Sequence, residues 1–343
     1  MKYLITRPYS DIGGVAAFVD AIYPVMAEGT RVFYRGAKPG RKHLSKAVNK
    51  LMCPIRYFLH IIKHRPERII INTSLSNSLI VRDGLLVCFS KLFNIDTLLI
   101  IHGFDERALV HRKVLRFGYY KADAICVLAN EFRQQIIKTG YKRKVYTQFN
   151  PVSEDILNYE SDVLPPVSKT LFIGRIETAK GIYITLDAFR ILKDKHPDMT
   201  LDVVGTGSEY ENVKCYIEEH QIDGVEMHGF KSGAEKLKIL ANSGTSSSSS
   251  YKEGLPISIL EAMSVGQLVI ARPIGGIVDL YRQCNFGKMI PSLDPKDFVE
   301  AYEELISDPA KAEQIRLNNR KFAKEHFSAR AIVNNIERIF NEM

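Results

Sequence analysis

The chain has 343 residues, of which 45% are apolar and 25% charged; this length suits two domains, and the composition is that of an ordinary globular protein. The five cysteines are scattered and never spaced as C-x-x-C, which argues against a disulfide framework or a zinc site and favours a reducing, cytoplasmic compartment. No stretch approaches 18 apolar residues and the N-terminus lacks the apolar run of a signal peptide, so we expect no segment that spans a bilayer.

The charge is unevenly distributed along the chain. Residues 1–160 hold 25 Lys and Arg against 13 Asp and Glu, a surplus of 12, whereas residues 161–343 hold 22 against 26. A basic half joined to a mildly acidic half indicates two domains with different partners. Nucleic acid, anionic lipid or an acidic acceptor would each suit the basic half. Nucleic acid is disfavoured, because the basic residues lie on predicted helix faces without interleaved aromatic residues.

Short apolar runs in the first half predict strands at 2–6, 68–72, 97–101, 124–128 and 144–147. Residues 44–62 have apolar side chains at three- and four-residue spacing and predict a helix, which Pro54 should break or kink. The polar stretch 158–169 contains two prolines and predicts a linker.

The second half alternates in the same way. Strands are predicted at 170–174, 200–204, 225–228 and 267–271, and helices at 182–195, 208–220, 233–242, 256–265, 310–326 and 329–341. Such alternation is typical of α/β domains with a doubly wound parallel sheet, and two of them in tandem are predicted. Ligands of these sheets bind beyond the carboxyl ends of the strands, so the residues in those turns are the first candidates for a site.

Two cations flank the first turn of the second half. Arg175 follows the strand 170–174, and Lys180 precedes the next helix. A strand end and a helix start bring cations and free backbone N–H groups together, which suits a diphosphate, although two solvated surface cations would have the same sequence. The following strand ends at Gly205-Thr206-Gly207, which predicts a tight turn and not a dinucleotide site, because Tyr210 replaces the third glycine of that motif.

The most distinctive segment is EGLPISILEA, residues 253–262. Pro256 predicts the start of a helix, with Glu253 in the preceding loop and Glu261 inside the helix. Eight residues of helix span about 12 Å, roughly the distance from the sugar of a nucleotide donor to its ribose. The two acids would therefore suit the two ends of a nucleotide sugar, although a helix-terminal acid and an exposed helical Glu also occur without a ligand.

The Glu-x7-Glu segment resembles the signature of family-4 glycosyltransferases, which have the GT-B fold. Other matches follow in the family's order: Gly13-Gly14-Val15, 120–125 (YKADAI), Asn150-Pro151-Val152, 172–181 (FIGR…KG), 203–207 (VVGTG), 228–230 (HGF), 274–279 (IGGIVD) and 327–328 (FS). The resemblance covers nearly the whole chain. It implies two Rossmann-like domains facing each other across a cleft: 1–160 for the acceptor, 161–325 for the nucleotide sugar, and a C-terminal helix, 326–343, that returns to the first domain.

The resemblance also implies roles for individual residues. Arg175 and Lys180 would stabilise the departing nucleotide diphosphate without a metal, and no D-x-D motif for a bridging metal occurs. Glu261 would bind the ribose and Glu253 the donor hexose, with Gly254, Leu255, Ile257 and Gly205 near the phosphates and sugar. His102 would reach the transferred sugar, and Gly13 and Gly14 would allow close approach of the first domain's backbone. The implied enzyme is a retaining hexosyltransferase that uses a UDP-sugar, or a GDP-sugar, without a cofactor.

Alternatives remain at this point. A sugar-nucleotide epimerase would use the same fold, and so would a phosphorylase, which needs inorganic phosphate or a pyridoxal cofactor, or a binding protein without catalysis. The predicted acceptor is a glycan or a lipid-linked glycan of cell-surface polysaccharide or lipopolysaccharide synthesis. The basic stretches 41–65 and 107–121 further suggest a peripheral position on the inner, anionic face of the plasma membrane, unless the apolar side of 44–62 packs on the sheet.

Overall fold

The computed structural model describes residues 1–9, 13–36, 43–161 and 163–343; within 43–51, only the side chain of Val48 is described. The chain divides into two compact units, residues 1–151 with 329–343 and residues 152–328. Residues 152–160, which the sequence analysis assigned to the first domain, therefore lie in the second unit.

The first unit is built on a parallel sheet of six strands in the order β2-β1-β3-β4-β5-β6. The strands are β1 (Tyr3–Pro8), β2 (Arg31–Arg35), β3 (Arg68–Leu75), β4 (Asp96–Phe104), β5 (Ala124–Val127) and β6 (Val145–Thr147). The order reverses between β1 and β3, so the loops after these two strands diverge and leave a crevice at their carboxyl ends.

Helices cover both faces of this sheet. They are α1 (Gly14–Ile22), α2 (His43–His64), α3 (Ile80–Leu92), α4 (Arg112–Phe117), α5 (Asn130–Lys138) and, from the end of the chain, α14 (Ala329–Asn341). The apolar side of α14 packs with α1 on one face, whereas α2 to α5 pack on the other. Helix α2 continues through Pro54, so the helix does not break there, and the predicted alternative of a kink stays a prediction. The basic stretch 107–121 forms only α4 and short turns of 3-10 helix around it.

The second unit has a sheet of the same kind, in the order β12-β11-β10-β7-β8-β9. Its strands are β7 (Lys169–Ile173), β8 (Thr200–Val204), β9 (Val225–Gly229), β10 (Thr245–Ser248), β11 (Leu268–Ala271) and β12 (Gly287–Met289). Its helices are α6 (Glu154–Leu157), α7 (Ile182–Lys195), α8 (Tyr210–Glu219), α9 (Gly233–Asn242), α10 (Ile257–Ser264), α11 (Gly276–Gln283), α12 (Pro295–Ile306) and α13 (Pro309–His326).

Three strands escaped the sequence analysis, and β10 is the most informative of them. Its residues belong to the serine-rich run that carries no apolar signal, yet Thr245 and Ser246 are buried in the centre of the sheet. Strands β7 and β11 pair with it on its two sides and satisfy its backbone. Among the described residues, no helix is both long and apolar enough to traverse a bilayer.

Candidate active site

The candidate site of the second unit lies where the order of its sheet reverses. The first strand, β7, is followed by β8 and β9 on one side, whereas β10 to β12 lie on the other side. The loops after β7 and β10 therefore start next to each other and diverge, which is where open parallel sheets bind their ligands. Arg175 stands in the loop after β7, and Glu253 in the loop after β10.

Backbone hydrogen bonds join the loop after β7 to the loop after β8 and to the loop after β10. The backbone N–H of Ile176 donates to Thr206 at 3.0 Å, and that of Tyr251 donates to Ala179 at 2.9 Å. The close approach of the loops after β7 and β8 requires a glycine at residue 205. A Cβ at Gly205, whose φ is +140°, would lie 1.8 Å from the carbonyl oxygen of Gly174. The predicted tight turn at Gly205 thus exists, and it brings the backbones of two loops together.

The structure brings Lys180 and Glu253 into direct contact. Lys180 Nζ lies 2.5 Å from Glu253 Oε1, and the Ser250 hydroxyl donates to the same oxygen at 2.8 Å. The two charged side chains are only 19% and 12% exposed. Water screens such a pair poorly, so the contact fixes Lys180 at the edge of the site, with a carboxylate that accepts hydrogen bonds beside it.

Arg175 is an accessible cation of this site. Its side chain is 66% exposed and forms an ion pair with Glu177, which stands two residues further along the same loop. An exposed pair of this kind contributes little to stability, and its guanidinium has five N–H donors. Arg175 can therefore exchange Glu177 for an incoming phosphate at a small free-energy cost.

Glu261 lies inside α10 and is buried, not exposed. Its side chain is 8% exposed, and its Oε1 accepts from Lys236 Nζ of α9 at 2.6 Å. Burial raises the pKa of Glu261, and the neighbouring Lys236 opposes that rise. A buried carboxylate held by one ammonium keeps oxygen lone pairs available for the hydroxyl groups of a ligand.

The turn that leads into α10 is built against the glycine loop before α11. Pro256 caps α10 at its N-terminus, which leaves the backbone N–H of Ile257 without an acceptor in the helix. Leu255 is buried and anchors the turn, whereas Gly254 is partly exposed. The Gly254 carbonyl accepts from the N–H of Gly276 at 2.6 Å. This turn therefore presents a backbone donor close to Glu253.

The sequence analysis missed three polar residues of this region. Lys236 and Ser250 hold the two glutamates. No local pattern could have revealed Lys236, because its contact with Glu261 joins two helices, whereas Ser250 stands three residues before Glu253 in the same loop and was detectable. Arg272 follows β11 at the same sheet edge and donates to the carbonyl of Ser250 at 3.1 Å. It was detectable, since it follows a predicted strand.

The remaining predicted residues lie in the first unit. His102 is near the carboxyl end of β4, and its ring lies 4.6 Å from that of Phe18 in α1, the helix that begins at the Gly13-Gly14 pair. His102 Nε2 lies 2.9 Å from Asn72 Oδ1, while Asn72 Nδ2 donates to the Thr6 carbonyl at 3.1 Å. The second bond fixes the orientation of the amide, so Nε2 carries the proton.

The environment also keeps His102 neutral. Burial lowers the pKa of His102 to about 3, with Arg35 contributing in the same direction. An imidazole with its proton fixed on Nε2 has an acceptor lone pair on Nδ1. The residue is therefore prepared to accept a hydrogen bond and not to act as a cation.

One group of metal-ligand type occurs among the described residues. Ligand atoms of Asp202, Glu226 and His228 lie within 4.8 Å of one another. His228 Nε2 lies 2.6 Å from Asp202, and Nδ1 lies 3.4 Å from Glu226. Both ring nitrogens thus already face carboxylates of the protein. The expectation that catalysis needs no metal stays a prediction.

Comparison with known families shows what the second unit is similar to. Residues 165–322 match the family described as glycosyl transferases group 1. That segment includes every residue of the candidate donor site, from Arg175 to Glu261. Most of the second unit is therefore similar to group 1 glycosyltransferases. The narrower assignment to family 4 remains a hypothesis from the motifs.

Relatives and solved structures agree with this family. An uncharacterized glycosyltransferase of Methanocaldococcus jannaschii is 22% identical over 73% of this chain and 69% of its own length. WcaL of Escherichia coli, a putative colanic acid biosynthesis glycosyltransferase, is 27% identical over 40% of this chain and 36% of its own. Anabaena HepE in complex with UDP covers all of both chains with a TM-score of 0.76 and 16% identity. The predicted GT-B fold is thereby confirmed.

Proposed function

We propose that this chain is a retaining, metal-independent hexosyltransferase that uses a UDP-sugar, with a GDP-sugar as the alternative donor. The acceptor is a glycan or a lipid-linked glycan of cell-surface polysaccharide or lipopolysaccharide synthesis. The main support is the pair Lys180–Glu253 at the point where the sheet of the second unit reverses its order. The neighbours that bind UDP or belong to colanic acid biosynthesis support the donor and acceptor classes.

The assigned roles follow from charge and burial. Departure of a nucleoside diphosphate develops negative charge on its phosphates, which Lys180 and Arg175 stabilise. When Lys180 turns to the diphosphate, Glu253 loses a partner and is free to accept from hydroxyls of the donor hexose. Glu261 accepts from the ribose hydroxyls, while Gly254, Leu255, Ile257 and Gly205 provide close backbone around the phosphates.

For the first unit we propose acceptor binding. Gly13 and Gly14 allow close approach to their backbone, since an added Cβ at either glycine would meet none of the described residues within 4 Å. His102 acts as a neutral acceptor of a substrate hydroxyl. The anomeric configuration is retained because the nucleoside diphosphate leaves from the same face of the sugar that the acceptor hydroxyl attacks. This route needs no covalent intermediate, and no residue is assigned as a covalent nucleophile.

Donor binding tests the proposal first. UDP, GDP and ADP, and the corresponding sugar nucleotides, are added in EDTA, and the thermal unfolding midpoint is followed. A ligand at 100 times its Kd stabilises the native state by about 2.7 kcal/mol. We expect UDP compounds to give the largest shift, and the Arg175→Ala and Lys180→Ala variants to lose it.

A matched control separates site effects from general charge effects. Lys195 is exposed at the end of α7, on the side of the sheet where the strands begin and away from the candidate site. It pairs with Glu303 at 2.8 Å. The Lys195→Ala variant should bind UDP normally. Transfer to a panel of glycan and glycolipid acceptors should fall about a hundredfold in each site variant. Conversion of the donor into an epimer without acceptor, or normal turnover in the Arg175→Ala/Lys180→Ala double variant, contradicts the proposal.

A further inference from the structure

Helix α2 is apolar on two opposite faces. One face carries Cys53, Tyr57 and Ile61, which are buried in the core against the sheet. The other face carries five large apolar side chains that are 42–58% exposed, and we call these residues the α2 stripe: Val48, Met52, Ile55, Leu59 and Ile62. The apolar side of this helix therefore does not simply pack on the sheet.

The α2 stripe is one continuous line. Its members alternate four- and three-residue steps, which places them on the same side of a helix, over a length of about 21 Å. Scattered apolar residues on a surface need no explanation, but a contiguous exposed set of this kind marks a surface that binds a partner or a lipid. The buried face already provides what the fold requires of α2.

The charged residues of the segment that carries the stripe are all positive. No acidic residue occurs between Glu28 and Glu67, a segment that includes all of α2. Arg56 and Lys63 flank the stripe on one side, at about 80° and 60° around the helix from Val48 at 100° per residue. Among the described residues, neither has a carboxylate within ion-pair distance. Arg56 is held in place over the ring of Phe33, at 5.7 Å.

We infer that the α2 stripe lies in the interface of an anionic lipid membrane. This inference rests on the proposed function, because it places the enzyme where a lipid-linked acceptor is available. A bilayer surface supplies acyl chains for the stripe and anionic headgroups for Arg56 and Lys63 at once. A second copy of this chain fits less well, because its α2 segment holds no acidic residue and would offer Arg56 and Lys63 no anionic partner.

A tryptophan introduced into the α2 stripe tests directly how deeply the stripe enters a membrane, since the chain contains no Trp of its own. The Leu59→Trp variant is mixed with vesicles of phosphatidylcholine alone, or of phosphatidylcholine with phosphatidylglycerol. We expect its emission to shift to the blue only with the anionic vesicles, and lipids brominated on the acyl chain to quench it. The control is Leu317→Trp, at a residue 46% exposed on α13 of the second unit, which should show neither effect.

Flotation measures the separate contributions of charge and apolar surface. The Arg56→Gln/Lys63→Gln variant should bind anionic vesicles about 30-fold more weakly, or about fivefold for each cation. The Ile55→Ser/Leu59→Ser variant should lose at least tenfold. A matched control, Lys311→Gln/Lys321→Gln, removes two exposed cations of the second unit and should bind normally. Wild-type binding should weaken as salt increases.

Each outcome has a clear meaning. Equal binding to neutral and anionic vesicles, or no emission change in Leu59→Trp, overturns the inference. A blue shift that occurs without lipid and grows with protein concentration instead identifies a second copy as the occupant. The vesicles contain no donor or acceptor, and UDP binding by the α2 variants is measured separately. Loss of UDP binding throughout, with vesicle binding intact, would refute the proposed function and leave this inference standing.

Discussion

The buried pair of Lys236 and Glu261 is most sharply tested by Lys236→Met, which removes the ammonium and keeps most of the side-chain length. The ammonium lies 2.6 Å from a carboxylate that is only 8% exposed, so water cannot fully replace it. Breaking a buried pair by removal of one partner costs about 3–5 kcal/mol. Because Lys236 itself is 25% exposed, we expect the lower end, about 3 kcal/mol.

The pH dependence of this loss has a defined sign. Burial raises the pKa of Glu261, and Lys236 opposes the rise, so removing Lys236 raises that pKa further. A carboxyl group whose pKa is higher in the folded state binds more protons when folded. Stability then falls as the pH rises from the unfolded pKa through the folded one. The variant should therefore lose more stability at pH 8 than at pH 5.

Thermal unfolding at these two pH values measures the effect. For a unit of roughly 180 residues, a loss of about 3 kcal/mol lowers the midpoint by about 6–12 °C. The control is Lys231→Met, which removes the exposed ion pair with Glu235 at 3.2 Å and should cost about 0.5 kcal/mol or less. Glu261→Gln in the Lys236→Met background should recover stability at pH 8. A loss equal to that of the control, or larger at pH 5, would refute the reasoning.

Three further predictions follow from the same structure. Transfer should continue in EDTA, because Arg175 and Lys180 stabilise the leaving diphosphate; complete loss that Mg²⁺ or Mn²⁺ restores would require a metal mechanism. The pH–rate profile should show no step near pH 6.5, because the pKa of His102 is lowered to about 3, whereas Asn72→Asp should raise that pKa and introduce a step. A wild-type step that His102→Gln abolishes would contradict this. Gly205→Ala should destabilise the chain by about 3 kcal/mol or more, through the clash with Gly174 and the positive φ, whereas Gly174→Ala, with nothing within 4 Å, should cost far less in chemical denaturation.

Local periodicity located several of the long helices, although α3 and α12 were not predicted. The helices predicted at 182–195, 233–242 and 329–341 coincide with α7, α9 and α14, because each turns an apolar stripe to a core and so leaves a 3.6-residue period in the sequence. The apolar runs likewise located the strands whose carboxyl ends carry Arg175 and Gly205. Since an open parallel sheet binds ligands at those ends, the candidate residues could be selected before the structure was known.

Only the tertiary structure determined which side chains meet. Lys180 and Glu253 are 73 positions apart and come together because the serine-rich β10 enters the sheet beside β7. Strand β10 is buried although its sequence shows no pattern of apolar residues. Neighbouring strands satisfy its backbone hydrogen bonds, and its side chains are small. Lys236 and Glu261 meet across two helices whose individual sequences predict no contact. The two apolar faces of α2 show the same limit: periodicity identifies a helix, but which face is buried depends on what the rest of the chain packs against it.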